Sequence, residues 1–138
     1  RAKDVGADFV INYNEETIAN KVMEVTEGRG ADVIFDHVGT DFWNQAIPVL
    51  APRGRYGICG VTSGYKADLQ MGTLFMRNQS IFGIHMGKRN DLSEIIRLVG
   101  DGVIKPVIHN TFDLESVQLA HDEMDKNEFF GKLIINVP

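Results

Sequence analysis

Residues 31–38 read Ala-Asp-Val-Ile-Phe-Asp-His-Val and run directly into Gly39-Thr40. The run is nearly continuous in apolar and β-branched residues, as in a strand buried on both faces of a parallel sheet. Thr40 stands where a helix cap belongs, and Trp43, Ala46, Ile47 and Leu50 then share one helical face. A strand, a tight glycine turn and a helix form the unit from which parallel α/β sheets are wound. Pro48 falls inside the helical stretch, where an interior proline costs about 3 kcal/mol, so a kink or an early end is expected there.

Outward from this unit the alternation continues in both directions. Upstream, Ala7 to Tyr13 (ADFVINY) reads as a short strand. Asn14 is placed to cap a helix whose inner face carries Ile18, Val22 and Val25 and which ends at Gly28 to Gly30. Arg1 to Gly6 reads as the last turn of a helix with Gly6 as its left-handed stop, so the chain is expected to be a piece of a longer protein. Downstream, a strand at Arg55 to Cys59 follows the Pro52-Arg53-Gly54 turn, and 61–70 is loop. A short helix over 72–77 leads to a fourth strand at Ser80 to His85. Asp91 with Glu94 three residues on starts a helix with Leu92, Ile95, Ile96 and Val99 on one face. Beyond it lie a strand at 107–112, a helix capped by Asp113 with Val117, Ala120 and Met124 inward, and a last strand at 132–137. The weakest joint is Gly100 to Pro106, which divides the chain into 1–105 and 106–138.

Composition narrows the function classes. The 138 residues are 43% hydrophobic and 24% charged with a net charge of −5, the balance of a globular chain with no basic patch to neutralise phosphates. No apolar run approaches the roughly 18 residues that suggest a membrane span. A single cysteine, Cys59, excludes an intramolecular disulfide and fits a reducing, cytoplasmic compartment; on its strand it is expected to be a small core residue. The four histidines show no HExxH and the lone cysteine no CxxC, so no metal is expected to be bound by this chain. There is no phosphate loop of the Walker type, no Gly-x-Ser-x-Gly and no Tyr-x-x-x-Lys. Gly28-Arg29-Gly30 is half of a dinucleotide fingerprint but precedes a strand, and the fingerprint must follow one, so it is a turn. Asp32 and Asp36 flank one strand and do not form an acid–base pair by spacing; Asp36, at the strand end, is expected to satisfy nearby backbone donors.

One pattern carries chemistry. Three strands end in small residues, at Val38-Gly39-Thr40, Gly60-Val61-Thr62 and Gly83-Ile84-His85. In open α/β sheets ligands bind outside the carboxyl ends of the strands, where small residues let a flat ring or a ribose lie against backbone. His37 and His85 are the polar side chains nearest that edge.

Taken in order, AKDVGADFVINY, GRGADVIFDHVG, PRGRYGICGVTSG, FGIHMG and the closing FGKLIINV resemble the C-terminal part of the medium-chain dehydrogenase/reductase superfamily. The subgroups most similar are zinc-type alcohol dehydrogenase-like and NADPH:quinone oxidoreductase-like proteins. The resemblance implies an incomplete α/β fold, a parallel Rossmann-like sheet flanked by helices, followed by a segment returning toward a catalytic domain. It implies a parent oxidoreductase that moves hydride between NADP or NAD and a small-molecule substrate, an alcohol or aldehyde, or alternatively a quinone or enone. Zinc, where such a parent has it, would be ligated outside this chain. Carried over residue by residue, it assigns Tyr13 to the adenosine end of the cofactor, with a slight preference for NADP. Gly39 and Thr40 would fall in the loop after the fourth sheet strand, Gly60, Val61 and Thr62 in the turn after the fifth, near the nicotinamide, and Gly83, Ile84 and His85 at the strand end that flanks it, while Lys132 would approach the cofactor as in quinone reductase-like members. No residue stands out as a general acid or base, and the isolated chain is expected to be inactive. Its exposed sheet edges suggest a homodimer along Ser80 to His85. A non-catalytic binding or assembly module is the rival reading.

Overall fold

The computed structural model describes all 138 residues, Arg1 to Pro138. The chain divides into two compact units, one spanning Ala2–Met86 and the other Gly87–Pro138 with Arg1.

The first unit holds α1 (Ile18–Val25), β1 (Ala31–Asp36), α2 (Thr40–Ala46), β2 (Leu50–Ile58), α3 (Met71–Met76) and β3 (Ser80–Gly83). The strands form one parallel sheet in the order β1-β2-β3. Ile34, Trp43, Ala46, Leu50 and Tyr56 make its core, with Phe42, Ile47, Ile58 and Ile81 packed around them. α2 stops at Ala46 and a 3₁₀ turn at Ile47–Val49 takes over at Pro48, the early end expected of an interior proline. Gly6 is left-handed as anticipated, but it closes a 3₁₀ turn over Lys3–Val5 rather than an α-helix.

Several expectations are corrected. Burial is one-sided: Ile34 and Asp36 of β1 point into the core, whereas Val33 and Phe35 remain 57% and 62% exposed. Ala7 to Tyr13 is not a strand, because a strand exists only through a hydrogen-bonded neighbour and β1 pairs with β2 alone. Asn14 does not cap α1. The carbonyl of Asn12 accepts the amides of Glu15 and Glu16, and its side chain accepts that of Asn14, so a local turn intervenes and the helix begins after Thr17. That helix also ends earlier than Gly28, at Val25. β2 begins at Leu50 and absorbs Pro52-Arg53-Gly54 as a bulge, its register moving from Ala31–Leu50 to Val33–Arg55. Cys59 falls just past β2 and is exposed rather than a core residue.

The second unit holds α4 (Arg89–Gly100), β4 (Ile108–Asp113), α5 (Val117–Lys126) and β5 (Lys132–Asn136), with β4 and β5 parallel. Asp91 does not open α4. It lies inside the first turn, and its carboxylate reaches back to the amide of Lys88 at 2.7 Å. Leu92, Ile95, Ile96 and Val99 of α4 are all exposed. Asp113 precedes a 3₁₀ turn, Leu114–Ser116, before α5 starts. Of the three residues expected to face inward on α5, Ala120 is buried, whereas Val117 and Met124 are exposed. No helix of the chain is long and apolar enough to cross a membrane.

Candidate functional site

β1 and β2 end side by side, Asp36 opposite Ile58, and both chains then turn away at the carboxyl edge of the sheet. The amide of Cys59 donates to the carbonyl of Asp36 at 2.8 Å, extending the ladder one step beyond β2. From there 61–66 crosses over the β1–α2 turn. The amide of Ser63 donates to the carbonyl of Val38 at 2.8 Å, and its hydroxyl reaches the same oxygen at 3.0 Å. The amide of Asp41 donates to the Ser63 hydroxyl at 3.1 Å, and the Thr40 hydroxyl donates to the carbonyl of Lys66 at 2.8 Å.

Two glycines make this approach of backbone to backbone possible. Gly39 adopts φ +97°, and a Cβ there would lie 2.6 Å from the carbonyl oxygen of Gly64. A Cβ on Gly60 would lie 2.6 Å from the carbonyl oxygen of His37. The result is a platform made of main chain, with Thr40, Thr62 and Ser63 hydroxyls on it. Beside it opens a cleft of about 600 Å³ bordered by Thr40, Asn44, Tyr65, Lys66 and Asp68, within the size range of ligand sites.

The turn is anchored from below. Asp36 is buried; its Oδ1 accepts the amides of Val38 at 2.7 Å and Gly39 at 3.1 Å, and its Oδ2 accepts the Tyr56 hydroxyl at 3.0 Å. This carries out the role expected of Asp36. Burial, and then the hydrogen bond to Asp36, push the Tyr56 phenol above its ordinary range, so it stays protonated and donates. Tyr56 packs against Trp43, with ring centroids 4.9 Å apart, and the Trp43 indole N–H donates to the carbonyl of Asp68 at 2.8 Å.

Of the residues singled out from sequence, Gly39, Thr40, Gly60, Val61 and Thr62 come together on this platform. Gly83 and Ile84 continue alongside, the amide of Ile84 donating to the carbonyl of Ile58 at 2.8 Å, and His85 follows, exposed. Tyr13 is 73% exposed, and no hydrogen bond or ring contact ties it to the platform. Lys132 belongs to the second unit, where it opens β5 and its amide donates to the carbonyl of Val107 at 2.9 Å. Ser63, Gly64 and Tyr56 were not singled out; Ser-Gly is a turn signal, but nothing local shows that its turn caps a distant strand end.

The consecutive amides of Gly60, Val61 and Thr62 donate no hydrogen bond within the protein. No three His, Cys, Asp or Glu side chains converge, so the residues present do not fit a zinc ion.

Parallel strands leading through glycine turns into helices, with a backbone platform at their carboxyl ends, define a partial Rossmann-like α/β domain. Residues 1–101 match the zinc-binding dehydrogenase family model, and the chain belongs to that family. It is 31% identical to an NAD-dependent alcohol dehydrogenase of Sulfolobus acidocaldarius, over 99% of this chain and 39% of that protein. It is also 31% identical to a quinone oxidoreductase of Salmonella typhimurium, over 98% of this chain and 45% of that protein. A crystal structure of an NAD-dependent alcohol dehydrogenase superposes with a TM-score of 0.85 at 35% identity, over all of this chain and 40% of the other. The chain thus spans less than half the length of these relatives, and the medium-chain dehydrogenase resemblance of its sequence holds.

Proposed function

We propose that the chain is the part of a nicotinamide-dependent oxidoreductase that receives the nicotinamide end of NADP or NAD, the parent moving hydride to or from an alcohol or aldehyde. The observation that carries this reading is the run of free amides at Gly60, Val61 and Thr62 beside the Gly39–Thr40 turn. When bound, the cofactor supplies the hydride, and the protein's contribution is orientation and electrostatics. Here Gly39 and Gly60 keep side chains off the platform, Thr40 and Thr62 offer hydroxyls, and Gly83, Ile84 and His85 border it. Tyr13 toward the adenosine end and Lys132 near the cofactor complete the proposed set, with a dividing line between 1–105 and 106–138. The parent is proposed to be cytoplasmic and to dimerise along Ser80 to His85.

The relatives include both alcohol dehydrogenases and quinone oxidoreductases, so a quinone or enone is the second reading. Titrating the chain with NADPH while following backbone amides by NMR tests the site. Shifts concentrated at 38–40, 60–62 and 83–85 are expected. Shifts spread elsewhere, or none, overturn this placement of the cofactor on the platform; an absence of binding would not disprove the parent's activity, because the isolated chain holds only part of the cofactor contacts. In the parent, NADPH oxidation by a quinone against NAD(P) reduction by an alcohol separates the two substrate classes.

A further inference from the structure

We propose that Asp36 and Tyr56 act together as a positioning brace that sets where the Val38–Gly39 turn, and hence the ligand platform, sits; this rests on the cofactor reading above. Three observations carry it. The carboxylate is 1% exposed yet has no cationic partner, and both its oxygens are spent on the platform's underside: two turn amides and one phenol. A buried carboxylate is costly unless its hydrogen bonds are made, so its donors are held in fixed places relative to it. The phenol that orients it is itself fully buried and wedged against Trp43, whose indole is tied to the loop carbonyl of Asp68. A rigid core aromatic therefore fixes the carboxylate, the carboxylate fixes two consecutive turn amides, and the turn presents Gly39 and Thr40 at the edge. Asp36 borders a small cavity of about 60 Å³ with Gly39, Thr40 and Val61, but it is 1% exposed with both oxygens already engaged, and Tyr56 is fully buried, so their effect on a ligand passes through the turn.

Asp36→Asn keeps the size but turns one acceptor into a donor, and Tyr56→Phe removes only the hydroxyl that orients the carboxylate. In the ligand-free chain, each is expected to speed hydrogen exchange at Val38 and Gly39 by about tenfold, the scale of one charge-assisted hydrogen bond, while Ile34 and Leu50 stay protected. With NADPH as probe, each is expected to weaken binding about fivefold or more under conditions where all variants are folded. The double variant should lose no more than the worse single one, since the two residues act through one turn. Unchanged exchange at Val38 and Gly39 overturns the brace, whatever NADPH does. Faster exchange with undiminished NADPH affinity also overturns it, because a purely structural pair gives that split. If exchange speeds up but the wild-type chain shows no NADPH shifts at 38–40, this placement of the cofactor fails, and the positioning role falls with it. Should Asp36→Asn not fold, Tyr56→Phe alone carries the test, because it preserves the aromatic packing.

Discussion

At Tyr56 the folded state holds a proton that the unfolded chain releases near pH 10. A phenol whose pKa rises on folding contributes stability that is intact below pH 10 and is lost as pH rises above it, because the unfolded state then binds fewer protons. Wild-type stability is expected to fall by close to one proton's worth, about 1.4 kcal/mol per pH unit, between pH 10 and 12. Tyr56→Phe should flatten that part of the curve, as read by urea midpoints across the range. A slope unaffected by Tyr56→Phe would mean that the phenol ionises freely in the folded protein. Gly39 gives a second residue-scale expectation. Gly39→Ala combines a left-handed φ with a Cβ 2.6 Å from a backbone oxygen that has nowhere to retreat, and should cost about 2 kcal/mol or more. Gly72→Ala in α3, where a Cβ meets nothing within 4 Å, should instead be neutral or stabilising by up to about 1 kcal/mol. Thermal melts of the two variants side by side decide this.

Among the elements, what could be read from sequence and what could not follows from how each one is stabilised. The end of α2 at Pro48 was legible because a missing N–H acts within one turn. The glycine turns after β1 and β2 were legible as well, since small residues at strand ends carry their own signal. Ala7 to Tyr13 was not, because its strand character depends on a neighbour that no local pattern can supply. The same holds for the brace: Asp36 as a satisfier of backbone donors could be foreseen, but its partner Tyr56 lies 20 residues away on the next strand. α4 shows a local device at work without tertiary support. Arg97 pairs with Glu94 at 2.6 Å and with Asp101 at 2.6 Å, and the hydrogen bond from Arg97 holds the Glu94 carboxyl below its ordinary range. Such a depressed carboxylate contributes stability above its unfolded pKa and loses it as pH falls. Helix content is therefore expected to drop slightly as pH is lowered through the carboxylate range, the effect being small for an exposed pair. In Glu94→Gln the part of that drop due to this pair should disappear. Circular dichroism at 222 nm from pH 7 to pH 3 would show whether it does.

At the scale of the whole chain, each unit leaves large apolar side chains exposed: Val33, Phe35 and Phe82 on the open face of the first sheet, and Leu92, Ile95 and Ile96 along α4. One consequence can be measured. At higher concentration the proposed pairing along Ser80 to His85 should raise the mass measured by light scattering toward that of a dimer. Ser80→Lys, a charge placed on the edge strand where such charges oppose pairing, should return it toward the monomer. A mass that stays monomeric throughout would count against the edge. A dimer indifferent to Ser80→Lys would move the contact to the exposed apolar faces, around Phe35 and Phe82 or along α4.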